Sequence, residues 1–403
     1  MPQEEAASPG GAGAFPALAA LDAELRDAEA RGLRRTRLEL DAGHGAHPLI
    51  DGEQFTAFCS NDYLGLCEHP ALAEAVAEGA RRYGVGAGAS HLVSGHGRVH
   101  AELERALAAF VERPAALLFS TGYMANLGVL TTLAGRGDAI FQDKLNHASL
   151  IDAALLARAE LKRYPHGDLD ALERLLRASS ARTKVIATDA VFSMDGDMAP
   201  LAELLALAER HEAWLYVDDA HGFGVLGPRG AGSVAHFGLR SSRLVYLGTL
   251  GKAAGVCGAF VAGEPAVIDA LVQRARTYIY TTALPPMIAH VLARSLELIA
   301  AADDARARLR AHIGRLRAQA TRFPGQLLAS ATAIQPLVLG DNRGALTASQ
   351  QLRERGFLVP AIRPPTVPQG TARLRISLSA AHTDDDVDAL IAGLAALSGA
   401  DAP

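Results

Sequence analysis

One lysine in this chain sits where a generic positive charge has no obvious use. In "YLGTLGKAAGVCGAF" (246–260), Lys252 stands among small and apolar residues, with glycines at 248, 251, 255 and 258 and no carboxylate close by in sequence. Of 39 lysines and arginines only four are lysine: Lys144, Lys162, Lys184 and Lys252. Arginine serves wherever charge alone is wanted, so Lys252 points to chemistry that a guanidinium cannot perform. Desolvation disfavours the ammonium form and leaves a nucleophilic amine near neutral pH, able to form a Schiff base with an aldehyde.

Ligands in open α/β sheets bind beyond the carboxyl ends of the strands. Reading only those ends returns a short set. After "AALLFS" come Thr121, Gly122 and Tyr123; after "DAIFQD" comes His147; after "TKVIATDA" come Ser193 and Asp195. After "AWLYV" come Asp218, Asp219 and His221, and after "RLVYLGT" comes Lys252. Each has an ordinary structural reading: a helix-entry turn, a loop histidine, a turn hydroxyl, a pair of cap aspartates, a lysine reaching solvent. Five such readings at successive strand ends are less economical than one shared site.

A helix start at Gly122–Tyr123 offers backbone N–H donors to a phosphate. An aspartate upstream of the lysine can hold a pyridinium nitrogen protonated, and histidines can stack on or hydrogen-bond to an aromatic ring. Together with the lysine, these are the parts that pyridoxal 5′-phosphate (PLP) requires. The glycine-rich "GVGAGAS" (84–90) suggests a dinucleotide site, but a helix rather than a strand precedes it. No metal is expected, because the histidines are scattered without a second ligand at helical spacing.

The elements that must position this set are legible as alternating apolar runs and helical stretches between about 100 and 265. That pattern predicts an α/β fold with a mainly parallel central sheet and helices on both faces. An amphipathic helix is expected over 15–40, carrying Leu18, Leu21, Leu25 and Leu33 and the basic "RGLRRTR". Another is expected over 71–82. Beyond 297 a long arginine-rich helix (302–322) and the strands "AIQPLVLG", "FLVPAI" and "ARLRISLSA" predict a smaller α+β domain. The expected division is an N-terminal tail, helix and short strands (1–58), a large domain (59–296) and a small C-terminal domain (297–403), the first dozen residues being a mobile tail.

With 403 residues, 49% hydrophobic and 21% charged, the composition is that of an ordinary soluble enzyme. A net charge of −5 without a long basic block argues against nucleic acid as partner. Three cysteines, Cys59, Cys67 and Cys257, form no disulfide framework. The acidic N-terminus lacks the charge pattern of a signal peptide, and no apolar run is long enough to cross a membrane. A cytoplasmic setting is expected.

The phrases "SNDYLGL" (60–66), "FSMDGDMAPL" (192–201), "VDDAHGFGVLG" (217–227), "GTLGKAAGVCG" (248–258) and "AIRPPTVPQGTARLRISLSAAHT" (361–383) resemble the α-oxoamine synthase family. Members are fold-type I PLP enzymes that condense an amino acid with an acyl thioester and release carbon dioxide. The resemblance runs from about residue 16 to 397. "RPPTVPQGTARLR" and "TAIQPLVLGDN" are similar to the branch that joins L-alanine to a pimeloyl thioester, carried by coenzyme A or acyl carrier protein, in biotin biosynthesis. Sister enzymes using glycine or serine are the alternative, and an aminotransferase or a non-catalytic binding module are more distant ones.

The resemblance implies a role for each matching residue. Lys252 is the Schiff-base lysine, Asp218 the partner of the pyridine nitrogen, and His221 that of the phenolic oxygen. His147 stacks on the ring, Ser193 contacts the cofactor, and Gly122, Tyr123 and Thr249 surround the phosphate. Arg363 binds the amino-acid carboxylate with Thr366 nearby, while Arg34, Arg35 or Arg37 meets the far carboxylate of the acyl chain. The family works as a homodimer with shared sites, which implies that Thr281 or Thr282 reaches the neighbour's phosphate. Where the family has "TEGVFSMDG" this chain has "TDAVFSMDG", so Asp189 is expected to need a shifted backbone or a water to make a hydrogen bond.

Overall fold

The computed structural model describes residues 15–397, so the expected N-terminal tail lies outside the described residues. Seven strands form the central sheet: β1 (Ala115–Phe119), β2 (Ala139–Asp143), β3 (Glu160–Tyr164), β4 (Lys184–Asp189), β5 (Trp214–Asp218), β6 (Leu244–Thr249) and β7 (Ala259–Gly263). Their spatial order is β1-β7-β6-β5-β4-β2-β3. The run from β6 to β3 is parallel, and β7 is antiparallel to both β6 and β1. The inner strands are buried on both faces and therefore read as continuous apolar runs. Successive residues still divide by period two between two cores: Ile186, Leu215, Val217 and Tyr246 pack on one face, and Val185, Ala187, Tyr216 and Val245 on the other.

The first five α-helices among the described residues are α1 (Pro16–Ala30), α2 (Pro70–Tyr83), α3 (Arg98–Phe110), α4 (Gly122–Leu133) and α5 (Ala148–Ala157). α2 matches the helix expected over 71–82. α1 ends ten residues early: Gly32 takes φ +63°, and residues 33–40 leave the helix, so "RGLRRTR" is not helical. No residue of α1 is buried within the chain.

The second sheet has four strands, β8 (Gln326–Leu327), β9 (Ile334–Gly340), β10 (Ala361–Ile362) and β11 (Ala372–Ser377), in the order β8-β9-β11-β10 and antiparallel throughout. "FLVPAI" is not one strand. Pro360, which has no N–H for a ladder, separates β10 from Phe357–Leu358, and that short piece pairs in parallel with Thr56–Ala57. The arginine-rich helix spans Asp303–Arg317, with a separate turn at Ala320–Arg322. The helix Pro286–Ala300 runs through residue 296.

β3 had no expected counterpart. "ELKRY" is an edge strand with charged residues, and its apolar pattern is too short to stand out.

Candidate active site

The parallel strands deliver their polar ends to one edge, where a cavity of about 170 Å³ is lined by Gly122, Tyr123, His147, Asp218, His221, Thr249 and Lys252. Asn126, Ser149 and Asp189 also line it. Lys252 follows β6 and is half-buried. Its Nζ lies 3.1 Å from His221 Nε2. Burial is the largest influence on the amine and lowers its pKa, while Asp218 and Asp189 pull the other way. Burial, with Lys252 and Arg375 near, also holds His221 well below the ordinary histidine range.

Asp218 ends β5 and is 5% exposed. Its Oδ2 accepts from Asn126 Nδ2 at 2.7 Å and its Oδ1 from the Ala220 amide at 3.1 Å. Asn126 is pinned in turn: Tyr216 Oη donates to its Oδ1 at 2.7 Å, and its Nδ2 also reaches Ser149 Oγ at 2.8 Å. The neighbouring Asp219 faces away. It is fully buried, accepts from the Ser233 amide and hydroxyl and from Tyr246 Oη, and is pushed up to about 7 by burial. The "DD" pair thus divides between a site carboxylate and a structural clasp, as strand alternation requires.

His147 caps α5, its Nδ1 accepting from the Ser149 amide at 3.2 Å and lying 2.7 Å from Ser149 Oγ. Those bonds leave Nδ1 bare and the ring proton on Nε2. Burial lowers the pKa of this ring also. Asp189 Oδ2 accepts directly from the His147 amide at 2.6 Å, so the shortened acid needs no water. Parallel register places Asp189 beside Asp218. Burial first and Asp218 second raise the Asp189 pKa well above the ordinary carboxylate value.

At the far side of the cavity, Thr121 Oγ1 caps α4 by accepting from the Met124 amide at 3.1 Å. The Gly122 and Tyr123 amides are the first helical donors and have no partner of their own among the described residues. A Cβ on Gly122 would meet nothing within 4 Å, so open ground lies before the helix start. An amine, a carboxylate fixed on two sides and free amides at a helix N-terminus thus share one cavity, and these residues fit PLP.

Several expected residues stand elsewhere. Arg363 lines a different cavity of about 740 Å³, together with Arg34, Arg35, Thr36 and Thr366, and donates to the Gly32 carbonyl. Arg34 is engaged by Glu29 at 2.6 Å, whereas Arg35 Nη2 lies 3.5 Å from Thr366 Oγ1. Arg37 is not among the residues lining it. Ser193 does not line the Lys252 cavity either, and its carbonyl accepts from Arg375 Nε at 2.6 Å. Thr281 and Thr282, just before the helix Pro286–Ala300, are also outside it.

Spacing alone missed Asn126, Ser149 and Arg375. Arg375 is 5% exposed on β11 and close enough to Lys252 and His221 to depress both. A local signal existed for two of them: an asparagine inside the otherwise apolar α4, and two arginines alternating in "ARLRIS".

This fold and donor set define a fold-type I PLP enzyme. Residues 53–394 match the family described as aminotransferase class I and II. The chain is 61% identical over 381 residues to the 8-amino-7-oxononanoate synthase of Nitrosomonas europaea, covering 94% of this chain and 98% of that one. Its fold is similar to serine palmitoyltransferase from S. paucimobilis, with a TM-score of 0.89, 30% identity and coverage of 95% and 98%. It is also similar to the 8-amino-7-oxononanoate synthase of Francisella tularensis, with a TM-score of 0.74, 33% identity and coverage of 85% and 97%. The chain belongs to the 8-amino-7-oxononanoate synthase family, within the class I and II aminotransferases.

Proposed function

We propose that this chain condenses L-alanine with a pimeloyl thioester, releasing carbon dioxide and free thiol and yielding 8-amino-7-oxononanoate, a step of biotin biosynthesis. The observation that carries the chemistry is the Lys252 amine, half-buried in one cavity with Asp218, His221 and the start of α4. The 61% identity to an 8-amino-7-oxononanoate synthase supports alanine over the glycine or serine of sister enzymes.

PLP, when bound, supplies a carbonyl for amine exchange and an electron sink for the α-carbon. Lys252 would hold it, and the free Lys252 amine, whose pKa burial lowers, would be the base for the alanine α-proton. Asp218, oriented by Asn126 and Ala220, keeps the pyridine nitrogen protonated. His147 would cover the ring face, His221 would meet the phenolic oxygen, and Gly122, Tyr123 and Thr249 would take the phosphate.

We place the alanine carboxylate on Arg375 rather than Arg363, because Arg375 adjoins the group of Asn61, Tyr63 and His221 that leads to Lys252, while Arg363 lines a separate cavity. Arg35 and Arg363, close enough for Arg35 to depress Arg363, receive the far carboxylate of the acyl chain. Arg34 is less suited because Glu29 already pairs with it.

We infer a homodimer as part of the same reading. α1 exposes Leu18, Leu21 and Leu25, and Val85, Val93 and Tyr280 are each more than 70% exposed, apolar side chains that a second copy would cover. Thr281 and Thr282, next to Tyr280, would then reach the neighbour's phosphate. The three cysteines are free, as a reducing cytoplasm would keep them, and no described helix is long and apolar enough to cross a membrane.

Visible spectroscopy of the purified protein, followed by product analysis with alanine, glycine or serine and pimeloyl-coenzyme A or the pimeloyl-carrier protein, tests the proposal. Absence of a cofactor band sinks it. Turnover with glycine or serine in preference to alanine moves the chain to a sister activity.

A further inference from the structure

Thr281 is half-buried and Thr282 exposed, and directly after them the chain turns inward: Ala283 and Leu284 are each 3% exposed. Residues 281–284 are neither helical nor paired in a sheet. Among the described residues, two backbone contacts hold this stretch to the rest of the chain. The Ala283 amide donates to the Ala89 carbonyl at 3.0 Å, and the Leu284 carbonyl lies 2.7 Å from Nε2 of His100. Pro285 and Pro286 follow, and neither has an N–H to add another anchor. The entry to the stretch is braced as well: Tyr278, in the short helix Arg276–Ile279, stacks on His91 with ring centroids 4.7 Å apart and planes 12° from parallel.

His100 lies on α3, 184 residues before Leu284, and is fully buried. Its two nitrogens have opposite tasks. The Gly97 amide donates to Nδ1 at 2.9 Å, at the start of α3, so Nδ1 carries no proton. The ring proton is therefore on Nε2, aimed at a carbonyl that can only accept. One neutral histidine thus joins a helix start to the buried root of an exposed segment. Two hydroxyls on a segment without a ladder of its own would lose freedom on meeting a ligand, and a root fixed in advance reduces that loss.

We propose that His100 is a positioning residue for the neighbouring subunit's cofactor site: its ring N–H fixes the Leu284 carbonyl and so the place of Thr281 and Thr282. This rests on the homodimer and the cross-subunit phosphate contact proposed above. The residue and its effect then belong to different sites, because His100 is altered in one subunit and the phosphate is lost from the other.

The test compares His100→Asn with His100→Gln by titration with PLP. Asparagine keeps an acceptor near the Nδ1 position for the Gly97 amide and is too short to reach Leu284. Glutamine places an N–H near the Nε2 position. Binding of PLP should weaken by about tenfold or more in His100→Asn and stay within about threefold of the parent in His100→Gln. A role confined to capping α3 reverses that order. His100→Met, similar in bulk and without a donor, repeats the first arm if His100→Asn folds poorly. Loss of the fold in both overturns the proposal, since His100 would then serve the fold.

Mixed dimers locate the effect. The visible band of cofactor held on Lys252 reports only a subunit that keeps this lysine, so Lys252→Ala silences a chosen subunit. With His100→Asn on the silenced subunit, the readable site should bind PLP about tenfold more weakly. With His100→Asn on the readable subunit, that site should match the parent. A loss seen in the subunit that carries the change, alone or with its neighbour, overturns the proposal, as does parent-like binding in the His100→Asn homodimer. The double variant Thr281→Ala, Thr282→Ala in the same dimers separates the two readings. If its effect crosses between subunits and that of His100→Asn does not, the role of His100 alone is lost. A monomeric parent protein, or a threonine effect that is nil or stays in its own subunit, sinks the cross-subunit phosphate contact and the role of His100 with it.

Discussion

Asn126 Nδ2 lies 2.7 Å from Asp218 Oδ2, joining the first turns of α4 to the end of β5 across 92 residues of sequence. That one contact ties the helix proposed to take the phosphate to the carboxylate proposed to meet the ring nitrogen. Asn126 is 1% exposed, and its amide contacts side chains of the same buried group. Replacing it with leucine strands the Tyr216 hydroxyl and removes a donor from Asp218. Such losses cost about 1–3 kcal/mol each for a buried polar group. Asn126→Leu is expected to lower the denaturation midpoint and weaken cofactor binding by about tenfold or more, measured by urea unfolding and by titration with PLP.

Lys252→Arg preserves charge and abolishes the amine. A guanidinium stays protonated and forms no imine, so turnover should fall by at least about 1,000-fold and the visible cofactor band should be lost. Retention of either would remove Lys252 from the chemistry.

The two arginine assignments separate cleanly. Arg375→Ala should raise KM for alanine by roughly 10- to 100-fold, the worth of a charge-assisted hydrogen bond or two, with far less effect on the thioester. Arg363→Ala should do the reverse. Initial-rate kinetics with each substrate varied decides between them, and matching effects on alanine in both variants would return the carboxylate to Arg363.

His166 gives a stability prediction with a definite sign. Its Nδ1 lies 3.1 Å from both Asp143 oxygens and its Nε2 2.8 Å from Asp197 Oδ2. Hydrogen bonds to Asp143 and then Asp197 raise its pKa from the ordinary 6.5 to about 10. The raised value means that the folded chain binds this proton more tightly than the unfolded one. The stabilisation is complete below pH 6.5 and fades as pH rises toward 10. Thermal melts should therefore show stability falling across that window, and the slope should flatten in His166→Gln. An identical slope in the variant would assign the pH dependence to other groups.

Subunit association should depend on the apolar face of α1. Leu18→Asp combined with Leu21→Asp is expected to shift sedimentation toward monomer and to reduce activity with it, because the proposed phosphate contacts of Thr281 and Thr282 cross between copies. A variant that stays dimeric with full activity would place the interface elsewhere.

Except for the edge strand β3, the central strand runs, their mainly parallel arrangement and the strand-end set Gly122, Tyr123, His147, Asp218, His221 and Lys252 were legible in sequence, while Thr249 came only with the family resemblance. The cause is local. Apolar runs buried on both faces identify parallel strands, and the residue that follows such a run must lie at the sheet's carboxyl edge. One lysine among small residues needed no partner to be recognised as unusual. The limits of α1 were less legible, since its apolar stripe packs against nothing within the chain and leucine spacing alone could not say where it stopped.

Tertiary structure decided what local spacing does not encode. Arg363 and Arg375 are twelve residues apart on neighbouring antiparallel segments, yet the first lines the outer cavity while the second turns inward to Ser193 and Asn61. The difference lies in the pairing of β11 with β9 and in the carbonyl of Ser193, 182 residues away, that holds the Arg375 side chain. Likewise Asp218 and Asp219 are equivalent as letters, and only the pleat of β5 sends one to the cavity and the other to Ser233 and Tyr246. Sequence carries the identity of a reactive group and its place on an element. Its partners depend on strand register and on packing between distant segments, and those exist only once the chain has closed on itself.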